Sequence, residues 1–404
     1  MRVLLAHCFY RSSAPSGEDA VYLIEKELLK SKGIDVISLE KYNDNIDFST
    51  FTNKIKVAIN TTWSQSSYKE VDRLLKKYKP DIAHFHNTFP QLSPSVYQAC
   101  YDNGVPVVQT LHNYRTVCPG AMLLRDGNSC ELCLNNSFVP YNSLKYRCYR
   151  DSFAATVPLA TMIAFNRFKG SFNTCVNRYI ALTDFAKDRF IRGGLPANKI
   201  VIKPNFLSID TNKFYKKENY VVFVGRLSEE KGIQTLLQAW HKIVGVKLII
   251  LGDGHLREKL EKMSIEQGIN VEFLGFCSHD EVIEIVRKAL IQVIPSECYE
   301  GFPMSVLEAF ACSTPVVASR LGSLQEIVID NYSGMLFEPK SVGDLSEKVN
   351  ALLVNDEKRI ELSLNAKKIF DQKYTDNVNF DVLMRIYNES ITDIGNSLTS
   401  AESC

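Results

Sequence analysis

The sequence predicts two doubly wound α/β domains, each a parallel sheet covered by helices on both faces. Three observations carry this. Short apolar runs recur along the chain, amphipathic stretches of helical period separate them, and the series is run through twice. The two series meet at 204–219, a polar stretch that suits a linker. In the first, residues 3–6 open a strand, and a helical pattern over 19–32 ends at Gly33, where a helix C-cap is expected. Strands at 35–39, 81–86, 105–111, 179–182 and 200–202 continue it. In the second, strands are expected at 220–224, 247–251, 271–274, 291–294 and 315–319, with helices at 232–244 and 255–268 among them. From Leu345 onward the pattern is helical, and the small polar tail 396–404 is expected to fray. Ligands of such sheets bind beyond the carboxyl ends of the strands.

Composition narrows the function classes. The chain has 404 residues, 45% hydrophobic and 23% charged, as in an ordinary globular protein. Lys plus Arg number 47 against 46 Asp plus Glu, a net charge of +1 that gives no global case for binding nucleic acid. The N-terminus turns polar too soon for a signal peptide, and no uninterrupted apolar run is long enough to span a bilayer. A cytoplasmic location is the default expectation, and the 11 cysteines are compatible with it.

Two segments carry the chemistry. In 222–232 an apolar strand runs into Gly225 and Arg226, and after a turn Lys231 precedes a helix. A guanidinium and an ammonium at a strand's carboxyl end suit a diphosphate; the alternative is two solvated cations in a loop. In 294–310 a strand leads through a loop carrying Glu300 and Gly301 to a helix starting near Pro303, since proline suits a first helical position. The N–H groups of Gly301, Phe302 and Met304 and the positive helix end form an anion site. Glu308 follows Glu300 by eight positions, so the two carboxylates face different groups and are not an acid/base pair. Glu300 falls at the sugar end. Glu308, flanked by Leu307, Ala309 and Phe310, is placed to accept from ribose hydroxyls.

Together these segments resemble the retaining glycosyltransferases of the large fourth family, which have the GT-B fold. The resemblance rests on a glutamate, seven residues and a second glutamate (Glu300, Glu308), preceded by a strand ending Gly225-Arg226 and a following Lys231. It implies an acceptor-binding domain over 1–205, a nucleotide-sugar-binding domain over 206–375, and a final helix near 376–390 within 376–404 that crosses back to the first. Phe276 matches the loop that holds the base. Gly17, in Ser16-Gly17-Glu18, matches a glycine loop that approaches the diphosphate, with one glycine where many relatives have two. His112 matches a histidine near the donor sugar. The implied catalytic set is Glu300, Arg226, Lys231 and His112, acting with retention and without a catalytic metal on a UDP- or GDP-sugar. The implied acceptor is a glycan or lipid-linked, in surface-polysaccharide assembly (capsule, O-antigen or exopolysaccharide). A sugar-nucleotide epimerase of similar fold and a catalytically silent sugar-nucleotide-binding subunit are the competing readings. A dinucleotide-dependent oxidoreductase is disfavoured because no G-x-G-x-x-G follows the first strand.

Two further features stand apart. Cys118, Cys130, Cys133 and Cys148 fall in one irregular insert, 114–150, with a C-x-x-C at its centre. Four thiolates can hold a structural zinc; unliganded thiols are the alternative. The segment 165–172 mixes Phe with Arg and Lys, which suits peripheral contact with the inner membrane surface or ordinary helix packing.

Overall fold

The computed structural model describes residues 1–12, 16–134, 138–210 and 215–402, with side chains described as far as Asp393. The strands, in chain order, are β1 (Arg2–Phe9), β2 (Asp35–Tyr42), β3 (Ile82–Phe85), β4 (Val107–Thr110), β5 (Leu124–Arg125), β6 (Asn128–Ser129), β7 (Arg178–Ala181) and β8 (Ile200–Ile202). They continue with β9 (Tyr220–Val224), β10 (Lys247–Leu251), β11 (Val271–Gly275), β12 (Ile291–Ile294), β13 (Val316–Ser319) and β14 (Gly334–Phe337).

The chain packs into two units. The first comprises 1–123, 131–204 and 379–404; the second comprises 124–130 and 205–378. The first holds a parallel sheet ordered β2-β1-β3-β4-β7-β8. Its first helix, Gly17–Ser31, starts two residues before the expected 19 because Ser16 caps it. The Ser16 hydroxyl accepts from the Glu18 N–H, and Asp19 accepts from the Ser16 N–H at 2.9 Å. Gly33 follows at φ +79°, the left-handed conformation expected past a helix end. Buried Val3, Leu5, Tyr22, Leu29, Ile82, Val108 and Ile180 form the core. Leu383, Ile386 and Tyr387 complete it, at helical spacing on the last helix, Asp376–Glu402. That helix runs past 396, where a frayed tail was expected, and Ser403 and Cys404 lie outside the described residues.

The second unit repeats the plan, in the order β11-β10-β9-β12-β13-β14, all parallel. In both sheets the strand order reverses beside the first-formed strand: between β1 and β3, and between β9 and β12. The loops leaving those strands therefore flank a crevice at each sheet's carboxyl edge.

Three regions differ from the sequence reading. Helices Phe51–Thr62 and Gln65–Tyr78 fill a stretch left unassigned. β14 begins at a glycine, a poor strand former. A Cβ on Gly334 would lie 2.4 Å from the Val316 carbonyl oxygen, so glycine is what lets β14 lie against β13. Part of the cysteine insert is not in the first unit. Residues 124–130, with the β5–β6 hairpin, pack with the second, where Lys340 Nζ donates to the Gly127 carbonyl at 2.6 Å.

Candidate active site

The second unit assembles the predicted cation–carboxylate set from two loops. After β9, Gly225, exposed Arg226 and a short 3-10 turn, Glu229–Lys231, lead to Gly232. After β12, residues 295–303 lead to the helix Met304–Ala311. The loops are tied together by the Glu297 N–H donating to the Glu230 carbonyl (2.8 Å) and Thr235 Oγ1 donating to Glu297 Oε1 (2.6 Å). Gly232 is obligatory in this arrangement. It sits at φ +66°, and a Cβ would fall 1.8 Å from the Pro295 carbonyl oxygen. This close approach carries Lys231 Nζ to Glu300 Oε1 at 2.7 Å, across 69 residues of sequence. Ser296 Oγ donates to the same oxygen at 2.6 Å.

Burial alone would raise the Glu300 carboxyl, but Lys231, Ser296 and the Arg226 charge bring it below the usual range. Lys231 is held above its ordinary value in turn: burial opposes its charge and Glu300 overcomes that. The site thus presents an ionised pair at neutral pH. Ser296 was missed in the sequence, where nothing marks one serine in a loop.

Pro303 is the residue before the helix, at φ −70° and ψ 123°, and not its first turn as expected. A proline followed by helix prefers extended ψ at the boundary, and the chain turns in only at Met304. Among the described residues, the N–H groups of Gly301, Phe302 and Met304 have no hydrogen-bond partner. Phe302 itself is packed, its ring edge-on to Tyr374 at 5.6 Å, with its carbonyl accepting from Asn205 Nδ2. Glu308 lies in the helix and is buried; its Oε2 has no partner. Burial pushes its carboxyl up to about 7. Phe276 follows β11 with a ring that is 77% exposed, free to stack on a ligand. Glycines at the β10 end were passed over in the sequence. A Cβ on Gly252 would lie 2.0 Å from the Gly225 carbonyl, and one on Gly254 2.3 Å from that of Leu227. They let the β10 loop close on the Arg226 loop.

The first unit contributes a different arrangement. A small pocket lies at the ends of β3 and β4, lined among others by Glu18, His86, Asn87, His112, Asn113 and Arg115. Behind it is a buried polar network that the sequence did not announce. Glu25 accepts from Lys203 Nζ at 2.9 Å and lies 3.0 Å from His86 Nε2. His86 Nδ1 is 2.9 Å from His112 Nε2. His84 contacts Tyr387 and Thr110 hydroxyls at 2.7 and 2.8 Å, and His7 contacts Asp19 at 2.7 Å. Burial alone would raise the Glu25 carboxyl; Lys203, His86 and His84 together hold it well below the ordinary range. Burial pushes His86 down to about 3, despite Glu25, and lowers His112 well below its ordinary value. The only sign in the sequence is His84-Phe85-His86, alternate residues of one strand, which therefore face the same side.

Glu25, His84 and His86 also bring three ligand atoms within 4.8 Å. A metal there would meet the Lys203 ammonium on the same carboxylate, and every ring nitrogen of the pair already has a partner. The trio is satisfied by the Lys203–Glu25 ion pair and by the hydrogen-bond partners of its ring nitrogens. Gly17 is the first residue of its helix, and a Cβ there would meet nothing within 4 Å. The preceding residues 13–15 lie outside the described residues.

Of the four cysteines of the insert, Cys118, Cys133 and Cys148 lie in the first unit, with Cys118 and Cys148 both beside Gly120, and Cys130 groups with the second. No step of the chemistry is derived through a metal. No helix among the described residues is long and apolar enough to cross a membrane.

Residues 207–369 match the family described as Glycosyl transferases group 1, and residues 59–211 match Glycosyltransferase Family 4. An uncharacterized glycosyltransferase of Methanocaldococcus jannaschii is 40% identical over 158 residues, 39% of this chain and 44% of that one. The lipopolysaccharide 1,2-N-acetylglucosaminetransferase of Salmonella typhimurium is 28% identical over 212 residues, 46% of this chain and 55% of that one. The matches thus span about half the length of these curated relatives. Among solved structures, Anabaena HepE in complex with UDP superposes with a TM-score of 0.63 at 19% identity, covering 96% of this chain and 100% of that one. The likeness is one of fold, and the fold is GT-B.

Proposed function

We propose that the chain, which matches the glycosyl transferases group 1 over 207–369 and Glycosyltransferase Family 4 over 59–211, moves a sugar from a nucleotide-sugar donor to a glycan or lipid-linked acceptor. The observation that carries this is the ionised Lys231–Glu300 pair beside three unengaged N–H groups at a helix start, on the β9–β12 switch point. A leaving diphosphate placed there gains charge-assisted hydrogen bonds from Arg226, Lys231 and the N–H groups as its negative charge develops. Glu300 orients the donor sugar through its hydroxyls, and the departing phosphate takes the acceptor's proton. That proton route leads to retention of configuration and asks no metal to act. Glu308 accepts from ribose hydroxyls through its unpartnered oxygen, and Phe276 stacks on the base. Gly17 leaves open space for the diphosphate at the start of its helix, and His112 meets the sugar.

UDP-sugars are the first donors to test, because HepE has been solved with UDP and with UDP-glucose. The Salmonella relative is named for a lipopolysaccharide reaction, which favours surface-polysaccharide assembly at the cytoplasmic membrane face. Peripheral contact there is supported by exposed Phe51, Ile55 and Ile59 on one helix and Phe153 and Phe168 on the helix packed beside it, with Lys169 adjoining. Of the segment 165–172, however, Asn166 and Phe172 are buried.

The test is a thermal shift with UDP-, GDP- and ADP-sugars on the wild type and Arg226→Ala. A donor held at a hundred times its Kd stabilises the fold by about 2.7 kcal/mol. Stabilisation of the wild type and its loss in the variant support the proposal. Equal stabilisation of both sinks the role given to Arg226.

A further inference from the structure

We infer that Glu25 and His86 are positioning residues that lock His112 in its Nε2–H tautomer, so that Nδ1 is offered to the pocket as a hydrogen-bond acceptor for a sugar hydroxyl. The inference rests on the reading above only for the identity of that ligand. The tautomer follows from the chain of contacts, taken from its buried end.

Lys203 and Glu25 are both almost wholly buried, and they form one ion pair, Nζ to Oε2 at 2.9 Å. The carboxylate can only accept. His86 Nε2, 3.0 Å from Glu25 Oε1, must therefore carry a proton and donate it. A second proton on His86 would place an imidazolium in the interior beside a carboxylate that Lys203 already neutralises. His86 is thus neutral, and its Nδ1 is a lone pair. His112 Nε2, 2.9 Å from that lone pair, must donate in turn. Burial and the neighbouring imidazoles hold His112 well below its ordinary value, so it carries a single proton at neutral pH, and that proton sits on Nε2.

His112 Nδ1 has no partner among the described residues, and it is not one of the buried unpartnered atoms, so it reaches solvent. The residue lines the pocket. A neutral imidazole facing outward with a lone pair accepts from a hydroxyl or an amide, and it cannot donate to a carbonyl or a phosphate. His84, engaged by Tyr387 and Thr110, also lies 3.2 Å from Glu25 Oε1, which as a carboxylate oxygen can accept from both rings, so His86 Nε2 still donates there and His86 Nδ1 still faces His112. The arrangement selects a polyhydroxy ligand over an anionic one at this wall of the pocket, whereas the second unit's loops carry the anion chemistry.

Nitrogen NMR of the full chain labelled at its seven histidines reads the tautomer directly. The expected His112 signature is neutral Nε2–H from pH 6 to 8; a Nδ1–H or imidazolium signature in that range overturns the lock. The hydroxyl role is read from the ratio of affinities for UDP-glucose and UDP. His86→Leu removes the acceptor for His112 and should weaken UDP-glucose roughly fivefold while leaving UDP within twofold, the size of one neutral hydrogen bond. His86→Gln keeps an acceptor and a donor at that position and should restore the ratio. An unchanged ratio in His86→Leu overturns the positioning role. If His86→Leu does not fold, the wild-type spectrum and the Gln variant still decide. If no nucleotide sugar binds the wild type, the donor reading falls, and the imidazole spectrum alone confirms or overturns the lock.

Discussion

At the strand ends of the second unit the ionic groups are few and partly open to water. Lys231 and Glu300 form one pair, and exposed Arg226 stands next to them. At the strand ends of the first unit a carboxylate, a lysine and imidazoles are enclosed, and of these His86 and His112 line the pocket. The same strand plan therefore serves two ends: one holds charge where a ligand's charge can meet it, the other buries charge to fix the orientation of an uncharged ring. The difference teaches where each group's energy goes. Charge in the second unit stays open to a ligand, and charge in the first is enclosed in internal contacts.

The sharpest way to break this contrast is kinetic. Arg226→Ala removes an exposed guanidinium and should lower kcat/KM by roughly 10²–10³ while leaving the melting temperature near that of the wild type. Turnover within tenfold of the wild type would remove it from the chemistry. In the first unit the expected effect is on stability. Lys203→Met leaves Glu25 buried and unpaired and should cost about 3–5 kcal/mol in urea unfolding. As a control, Lys247→Met breaks an exposed pair with Glu272, both partners nearly half exposed, and should cost at most about 1 kcal/mol. Equal costs would dissolve the distinction between buried and open charge.

Gly232→Ala places a methyl against the Pro295 carbonyl and forces a positive φ, so a loss of about 2–3 kcal/mol is expected by the same measurement. A stable variant would mean that the loop can move aside. The last effect concerns Glu308. Its folded value near 7 lies above the unfolded one, so the protonated form is favoured in the native state. Its contribution to stability is complete below the unfolded value and is lost as pH rises through about 7, about 3 kcal/mol in all. Glu308→Gln should flatten the stability profile between pH 5 and 7. A profile unchanged from the wild type would contradict the burial of its unpartnered Oε2.

The contrast also explains what could be read from the sequence. In the second unit the site residues sit in two short runs, each a strand end followed by a turn, and position along the chain nearly fixes position at the sheet edge. That Arg226, Lys231, Glu300 and Glu308 lie in these two runs at the sheet edge was accordingly legible in the sequence. Ser296 and the tight glycines Gly252 and Gly254 were not, because their roles depend on which loop lies opposite. In the first unit Glu25 meets Lys203 across 178 residues and His84 meets Tyr387 across 303, so no local pattern brings these partners together. The cysteine insert was read as one piece, while the hairpin within it groups with the other unit, a division that depends on contacts far along the chain.

The last helix has a consequence for how the chain is made. Residues 379–404 complete the core of the first unit, so the whole of 205–378 is threaded between two parts of one hydrophobic interior. During synthesis the ribosome delivers the second unit in full before it delivers Leu383, Ile386 and Tyr387. The domain that begins first is thus the one that finishes last. A gene cut after residue 204 would encode a sheet whose apolar face has no lid, and a protease assay on that fragment should show it digested far faster than the same residues in the full chain.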